Sequence, residues 1–501
     1  MGSTMRRRRK SGILLHPTSL PGPGGIGALG KEARRFVDFL EGTGQSLWQV
    51  LPLGPVAYGN SPYSCYSAFA GNHLLIDLET IADEGDLSHE DTGENLPNDR
   101  VDYPRVEKFK LGALRRAAAG FFAKGYNGRR EEFHSFCDNT VWLHDFALFM
   151  SLKDLHGGKS WLYWPKDVAS REPGELIRAG EQLGVAIGEY KYMQWQFARQ
   201  WLALKGYANQ RGVEIIGDIP IFVAFDAADV WANPELFHLD EKGRPTVVAG
   251  VPPDYFSKTG QLWGNPLYNW ETISFHGYNW WVDRMKSSLA LFDIVRLDHF
   301  RGFEAYWEVP AKEKTAENGR WVKGPGADLF NALMDRLGPL PIIAEDLGTI
   351  TPDVDALRER FAFPGMKILQ FAFGSGPDNP YLPHNHVREC MVYTGTHDND
   401  TAVGWFSSLA KQEKKVVLRY LSSAGRDIAG DMVRAALSSV ADMAVIPMQD
   451  ILRLDGSARM NMPGTSTDNW SWRFSYDLLQ EEYKEDLLEM TGLYGRLNRK
   501  E

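Results

Sequence analysis

The sequence predicts an α/β protein built on a (β/α)8 TIM barrel, with helical and irregular subdomain insertions over the C-terminal face. Three observations predict it. Eight short apolar runs recur along the chain, helical periodicity precedes several of them, and acidic residues end one run after another.

The first four runs are Gly12-Ile-Leu-Leu-His16, Leu47-Trp-Gln-Val-Leu-Pro-Leu53, Val213-Glu-Ile-Ile-Gly-Asp218 and Phe292-Asp-Ile-Val-Arg-Leu-Asp298. The last four are Pro341-Ile-Ile-Ala-Glu345, Met366-Lys-Ile-Leu-Gln-Phe-Ala-Phe373, Met391-Val-Tyr-Thr-Gly395 and Met443-Ala-Val-Ile-Pro-Met448. Near-continuous apolar character suits strands buried on both faces of a parallel sheet. Helical periodicity is read over 31–41, 280–291, 327–337 and 431–441. Thr351-Pro352-Asp353 opens another helix, with Thr at the cap and Pro at the first helical position. An open, doubly wound sheet is the rival, and it usually carries a glycine-rich phosphate turn after its first strand. Pro21-Gly-Pro-Gly-Gly25 has two prolines and no G-x-G-x-x-G spacing, so it reads as an ordinary loop.

Residues 11–501 form one catalytic domain behind a flexible basic start at 1–10. Two intervals are too long for plain loops. Residues 55–212 hold helical stretches at 142–155 and 190–209 and read as a mostly helical insertion. Residues 221–279 are rich in Pro, Asn, Gly, Trp and Tyr and read as an irregular lid. Each follows a strand, which in a barrel places it over the catalytic end.

Composition narrows the function. Of 501 residues, 43% are hydrophobic and 24% charged, as in a soluble globular enzyme. Cys65, Cys137 and Cys390 are odd in number and far apart, which fits a reducing, cytoplasmic compartment without a disulfide framework or zinc cluster. A net charge of -10 disfavours nucleic acid as the main partner. Arg6-Arg7-Arg8-Arg9-Lys10 is the local exception and reads as part of the flexible start. No apolar run approaches the ~18 residues of a membrane span, and no signal-peptide core is present.

The chemistry lies where polar residues end the apolar runs: Asp218, then Arg296 and Asp298, then Glu345, with His397-Asp398 after the seventh run. One such carboxylate could be a strand cap or a barrel salt bridge. Four at the same end of successive strands point to a site. Two carboxylates across a glycosidic bond can share the roles of nucleophile and acid. Arg296 is two residues before Asp298, so both side chains share one face of a strand, and the guanidinium keeps Asp298 ionised. Glu345 ends an apolar stretch, where desolvation raises its affinity for a proton.

Gly217-Asp-Ile-Pro220, Val295-Arg-Leu-Asp-His299, Ile343-Ala-Glu-Asp-Leu-Gly348 and Gly395-Thr-His-Asp-Asn399 resemble the four ordered short regions of the α-amylase superfamily. Ile13-Leu-Leu-His-Pro-Thr-Ser-Leu-Pro21, the Gly59–Asn72 stretch around Ser61-Pro-Tyr63, and Val251-Pro-Pro-Asp-Tyr-Phe-Ser257 narrow the resemblance to amylomaltases, the disproportionating 4-α-glucanotransferases. The likeness runs from about Ser11 onward, with no departure at a catalytic position. It implies that Asp298 is the nucleophile forming a covalent glycosyl-enzyme, Glu345 the acid and base, and Asp398 a grip on the sugar. His397 and Arg296 stand alongside, and Asp218 binds or orients. It implies that Tyr63 stacks near the bond being cleaved. In the lid, Tyr255, Phe256, Gln261 and Trp263 face an acceptor and exclude water. Asn461 and Pro463 lie in a matching loop, and Tyr58 marks a secondary glucan contact. Implied partners are maltooligosaccharides, amylose, starch or glycogen, with glucose as acceptor; the enzyme works as a monomer with no cofactor and no metal.

Three alternatives use the same residues. An α-glucan hydrolase needs the same carboxylates. A metal-dependent barrel hydrolase would draw on His16, Asp218, His299, His397 and Asp398, although His16 lacks the usual His-x-His partner. A non-catalytic glucan-binding scaffold would be expected to lack one carboxylate.

Overall fold

The computed structural model describes residues 9–125, 128–253, 257–465 and 467–498. Its strands are β1 (Lys10–Leu14), β2 (Leu47–Gln49), β3 (Glu214–Pro220), β4 (Val247–Val251), β5 (Gln261–Pro266) and β6 (Ile294–Asp298). They continue with β7 (Ala305–Pro310), β8 (Arg320–Lys323), β9 (Ile342–Ala344), β10 (Gly365–Ile368), β11 (Cys390–Tyr393) and β12 (Met443–Pro447). Eight form one parallel sheet in the order β10-β11-β12-β1-β2-β3-β6-β9. Its two ends meet where the Ala344 amide donates to the Pro364 carbonyl at 2.9 Å, so the sheet closes into the expected barrel.

All eight apolar runs become barrel strands because closure leaves no edge and buries both faces. Every residue of β2, β9 and β11 is buried. Gly217 in β3 is required by packing: a β-carbon there would lie 2.1 Å from the Phe292 ring, just ahead of β6. This close approach seats β6 beside β3, with Asp218 opposite Arg296.

Helices Lys31–Gly42, Asn279–Leu291, Gly326–Leu337 and Pro352–Arg360 lie where periodicity predicts them. Thr351 occupies the N-cap position, but its hydroxyl makes no capping bond. The helix expected at 431–441 spans Ile428–Ser438 instead. Asp427 sets the earlier start, because its carboxylate accepts from the Gly430 amide at 2.9 Å. Between β2 and β3 the chain runs through helices that include Tyr103–Ala123, Leu143–Leu155 and Gly184–Gln210, the last leading back to the barrel.

The stretch 221–279 is more ordered than its irregular sequence suggests. It supplies β4 and β5, which join β7 and β8 in a second, antiparallel sheet of order β5-β4-β7-β8. The sequence hides this sheet because its strands come from two separate barrel loops. Gln-Leu-Trp-Gly-Asn-Pro in β5 also lacks period-2 alternation. The basic start is likewise not wholly outside the fold. Arg9 donates to the Tyr494 carbonyl at 2.7 Å, and Lys10 opens β1 and pairs with Glu214. Arg6, Arg7 and Arg8 lie outside the described residues. Among the described residues, no helix is long and apolar enough to cross a membrane.

Candidate active site

β3 and β6 bring the first three polar residues together. Arg296 is buried and reaches two carboxylates: one guanidinium nitrogen donates to Asp218, and Nη2 lies 3.0 Å from Asp298 Oδ1. Burial alone would weaken the Arg296 charge, but Asp218 and Asp298 outweigh it and hold the guanidinium firmly protonated. The two carboxylates differ in access. Asp218 has a side-chain exposure of 0%, whereas Asp298 has 28% and opens to the cleft. Asp218 thus lies deeper than Asp298, between Arg296 and Tyr63. Its Oδ2 accepts the Tyr63 hydroxyl at 2.7 Å, and burial, then the Asp218 charge, keep that phenol protonated.

Glu345 follows β9 and is fastened to the end of β6. Its amide donates to Leu297 O at 3.0 Å, and its carbonyl accepts from Phe300 N at 3.1 Å. Its carboxyl accepts from His299 N at 2.7 Å and from Leu347 N at 2.9 Å. His299 has a positive φ of 53°, a turn that directs its amide to Glu345 directly after the Asp298 position. The amides and Arg296 favour the charged form of Glu345. Burial outweighs them, with help from Asp298, and pushes its pKa up to about 8.

The third carboxylate, Asp398, stands beyond β11. Asn461 Nδ2 donates to its Oδ1 at 2.6 Å, and His397 Nε2 lies 3.5 Å from its Oδ2. The Asn461 amide donates to His397 O at 3.1 Å, and Arg459 donates to the Asp398 carbonyl. Asn461 therefore holds the carboxylate directly. Tyr63 stacks on the His397 ring at 5.0 Å and 17°, and Trp470 leans on both.

Of the residues expected in a lid, Gln261 and Trp263 lie in β5. Trp263 is 38% exposed and sets its ring edge-on to His299 at 4.8 Å; its indole N–H donates to Gln261 at 3.2 Å. Tyr255 and Phe256 lie outside the described residues. Tyr58 is 80% exposed, on the surface turn Tyr58–Asn60. The proposed metal set does not converge. The His16 Nδ1 accepts from Leu51 N at 3.2 Å, Asp218 is occupied by Arg296 and Tyr63, and no metal-binding group of three acidic, His or Cys residues exists among the described residues. Sequence reasoning missed His299 as the bridge to Glu345, and it missed Arg459 and Trp470. Only the position of His299 directly after Asp298 offered a signal.

A family model described as 4-alpha-glucanotransferase matches residues 15–479. The 4-alpha-glucanotransferase of Thermus thermophilus is 50% identical, over 98% of this chain and 100% of that protein. The chloroplastic/amyloplastic 4-alpha-glucanotransferase of Solanum tuberosum is 46% identical, over 98% of this chain and 87% of that protein. A solved amylomaltase from Streptococcus agalactiae, in complex with acarbose, superposes with a TM-score of 0.95 at 39% identity, covering 98% of this chain and 100% of that one.

Proposed function

This chain belongs to the 4-alpha-glucanotransferase family and is an enzyme of that activity; from that premise we propose that it works by double displacement with retention, through a covalent glycosyl-enzyme on Asp298. The donor is an α-1,4-glucan: a maltooligosaccharide, amylose, starch or glycogen. Asp298 attacks the anomeric carbon while Glu345 gives its proton to the departing 4-oxygen. The 4-hydroxyl of glucose or another glucan then takes the place of water. It attacks the same carbon, gives its proton to Glu345 and releases Asp298.

The observation that carries this reading is the contrast between two neighbouring carboxyls. Asp298 is open to the cleft beside a permanently charged guanidinium, while Glu345 is buried and retains its proton to about pH 8. One is equipped to attack and the other to protonate. Asp398 has a side-chain exposure of 48% and is steadied by Asn461 on one oxygen, with His397 3.5 Å from the other, an arrangement that presents the carboxylate to sugar hydroxyls. Tyr63 offers the stacking face. Trp263, Gln261 and the rest of the lid shield the intermediate from water. That the Streptococcus agalactiae amylomaltase was solved in complex with acarbose supports an oligosaccharide-like ligand for this chain. Free Cys65, Cys137 and Cys390 support a cytoplasmic location, where we place the enzyme as a monomer.

Incubation with maltotriose tests the reaction. Glucose and longer oligosaccharides should form without a net rise in reducing ends. A steady rise with no longer products would mark hydrolysis and overturn the proposal. Asp298→Asn should still bind acarbose yet lose turnover by roughly 10^4-fold or more.

A further inference from the structure

Trp470 adopts a backbone conformation that bulky residues rarely accept, with φ 62°. Such a conformation persists only where the surroundings over-determine it, and it clusters at functional sites. At 5% exposure, the indole offers no face to a sugar. Its ring packs instead against both aromatic members of the site, with centroids 6.0 Å from Tyr63 and 5.8 Å from His397.

The backbone of Trp470 is held from two sides. Its amide donates to Met460 O at 2.7 Å. Its carbonyl accepts the buried Tyr103 hydroxyl at 2.9 Å, and Tyr103 begins the insertion helix Tyr103–Ala123. The seam continues on either side. Val101 N donates to Ser471 O at 2.8 Å, Arg473 N donates to Asp99 O at 3.1 Å, and the Arg473 guanidinium reaches Pro97 O at 2.9 Å. The loop that ends at Trp470 also carries Arg459 and Asn461, the two residues that hold Asp398.

We propose that the helical insertion is a working part of the donor-sugar subsite, with Tyr103 and Trp470 as positioning residues that hold Tyr63, His397 and Asp398 in register. This rests on the reading that those three grip the donor. Tyr103 fixes the strained Trp470 backbone, and the Trp470 ring fixes the angle of the Tyr63–His397 stack. A small rotation of that stack moves the sugar relative to Asp298, which costs turnover more than binding.

Tyr103→Phe removes one hydroxyl and leaves the ring. It should lower kcat with maltotriose about tenfold while KM changes less than about threefold. Trp470→Phe should do the same, and Trp470→Ala should lose more. Tyr190→Phe is the control. It removes another insertion hydroxyl, bonded to Asp154 at 2.8 Å, and should leave kcat unchanged. In a cycle with Tyr63→Ala, the Trp470→Ala loss should be less than additive. If Trp470→Ala does not fold, Tyr103→Phe and Trp470→Phe decide the matter. Wild-type kcat in both, or an equal loss in Tyr190→Phe, overturns the proposal. Tyr63→Ala separates the two levels. If it is crippled while Tyr103→Phe and Trp470→Phe are normal, only the brace is refuted. If Tyr63→Ala itself is normal, the subsite reading falls and this inference falls with it.

Discussion

The pH dependence of turnover should carry the signature of Glu345. Glu345 is 9% exposed, and among the described residues its carboxyl is hydrogen-bonded by two backbone amides at 2.7 and 2.9 Å. Burial raises its pKa from 4.5 to about 8. At about 1.36 kcal/mol per pH unit, that is roughly 5 kcal/mol of preference for the neutral form. Measured as kcat/KM for maltotriose between about pH 5 and 10, activity should hold to near 8 and then fall about tenfold per pH unit. Glu345→Gln should lose this limb when assayed with an α-maltosyl fluoride donor, because fluoride departs without a proton. Stability follows the same titration. A carboxyl whose folded pKa is raised contributes stability that is fully present below about 4.5 and is lost as pH rises through about 8. The melting temperature of the wild type should therefore fall relative to Glu345→Gln between those values. A basic limb centred below pH 6, or one that survives in Glu345→Gln, would refute the assignment of Glu345 as the acid.

Asp218→Ala strips Arg296 and Tyr63 of a shared, fully buried partner, and denaturant titration should show a loss of about 3–5 kcal/mol. Asp218→Asn keeps an acceptor and should lose markedly less. Asn461→Ala removes a charge-assisted bond of 2.6 Å to Asp398, worth about 1.5–3 kcal/mol, so kcat/KM should fall roughly ten- to hundredfold. Trp263→Ala should shift the product balance from transfer toward hydrolysis by roughly tenfold, the scale of 1.4 kcal/mol, read as reducing ends released per glucan transferred. Activity should survive prolonged chelation unchanged; a loss that added metal restores would revive the metal-dependent alternative.

Much of the barrel and of its chemistry was legible along the chain. Strands buried on both faces must be apolar nearly throughout, so all eight appear as runs that need no knowledge of their partners. Carboxylates ending such runs stand out because charge is costly there, and that singled out Asp298, Glu345 and, with the next loop, Asp398. The Arg296–Asp298 pair was equally visible, since strand alternation alone puts them on one face.

What remained hidden depends on contacts between distant segments. The second sheet joins β4 and β5 from one barrel loop to β7 and β8 from another, and no local pattern records that pairing. Asp218 reads like its neighbours in sequence, yet only the closed barrel decides that it is sealed behind Arg296 and Tyr63. His299 lies in a backbone turn, and its amide reaches a glutamate just past β9, 46 residues away. Trp470 and Tyr103 lie 367 positions apart. The sequence by itself determined which strands close the barrel and which carboxylates end them, because burial acts on each run separately. The tertiary structure alone decided which of those carboxylates meets solvent and what holds the third in place, because burial by other segments and hydrogen-bond geometry exist only once the distant segments meet.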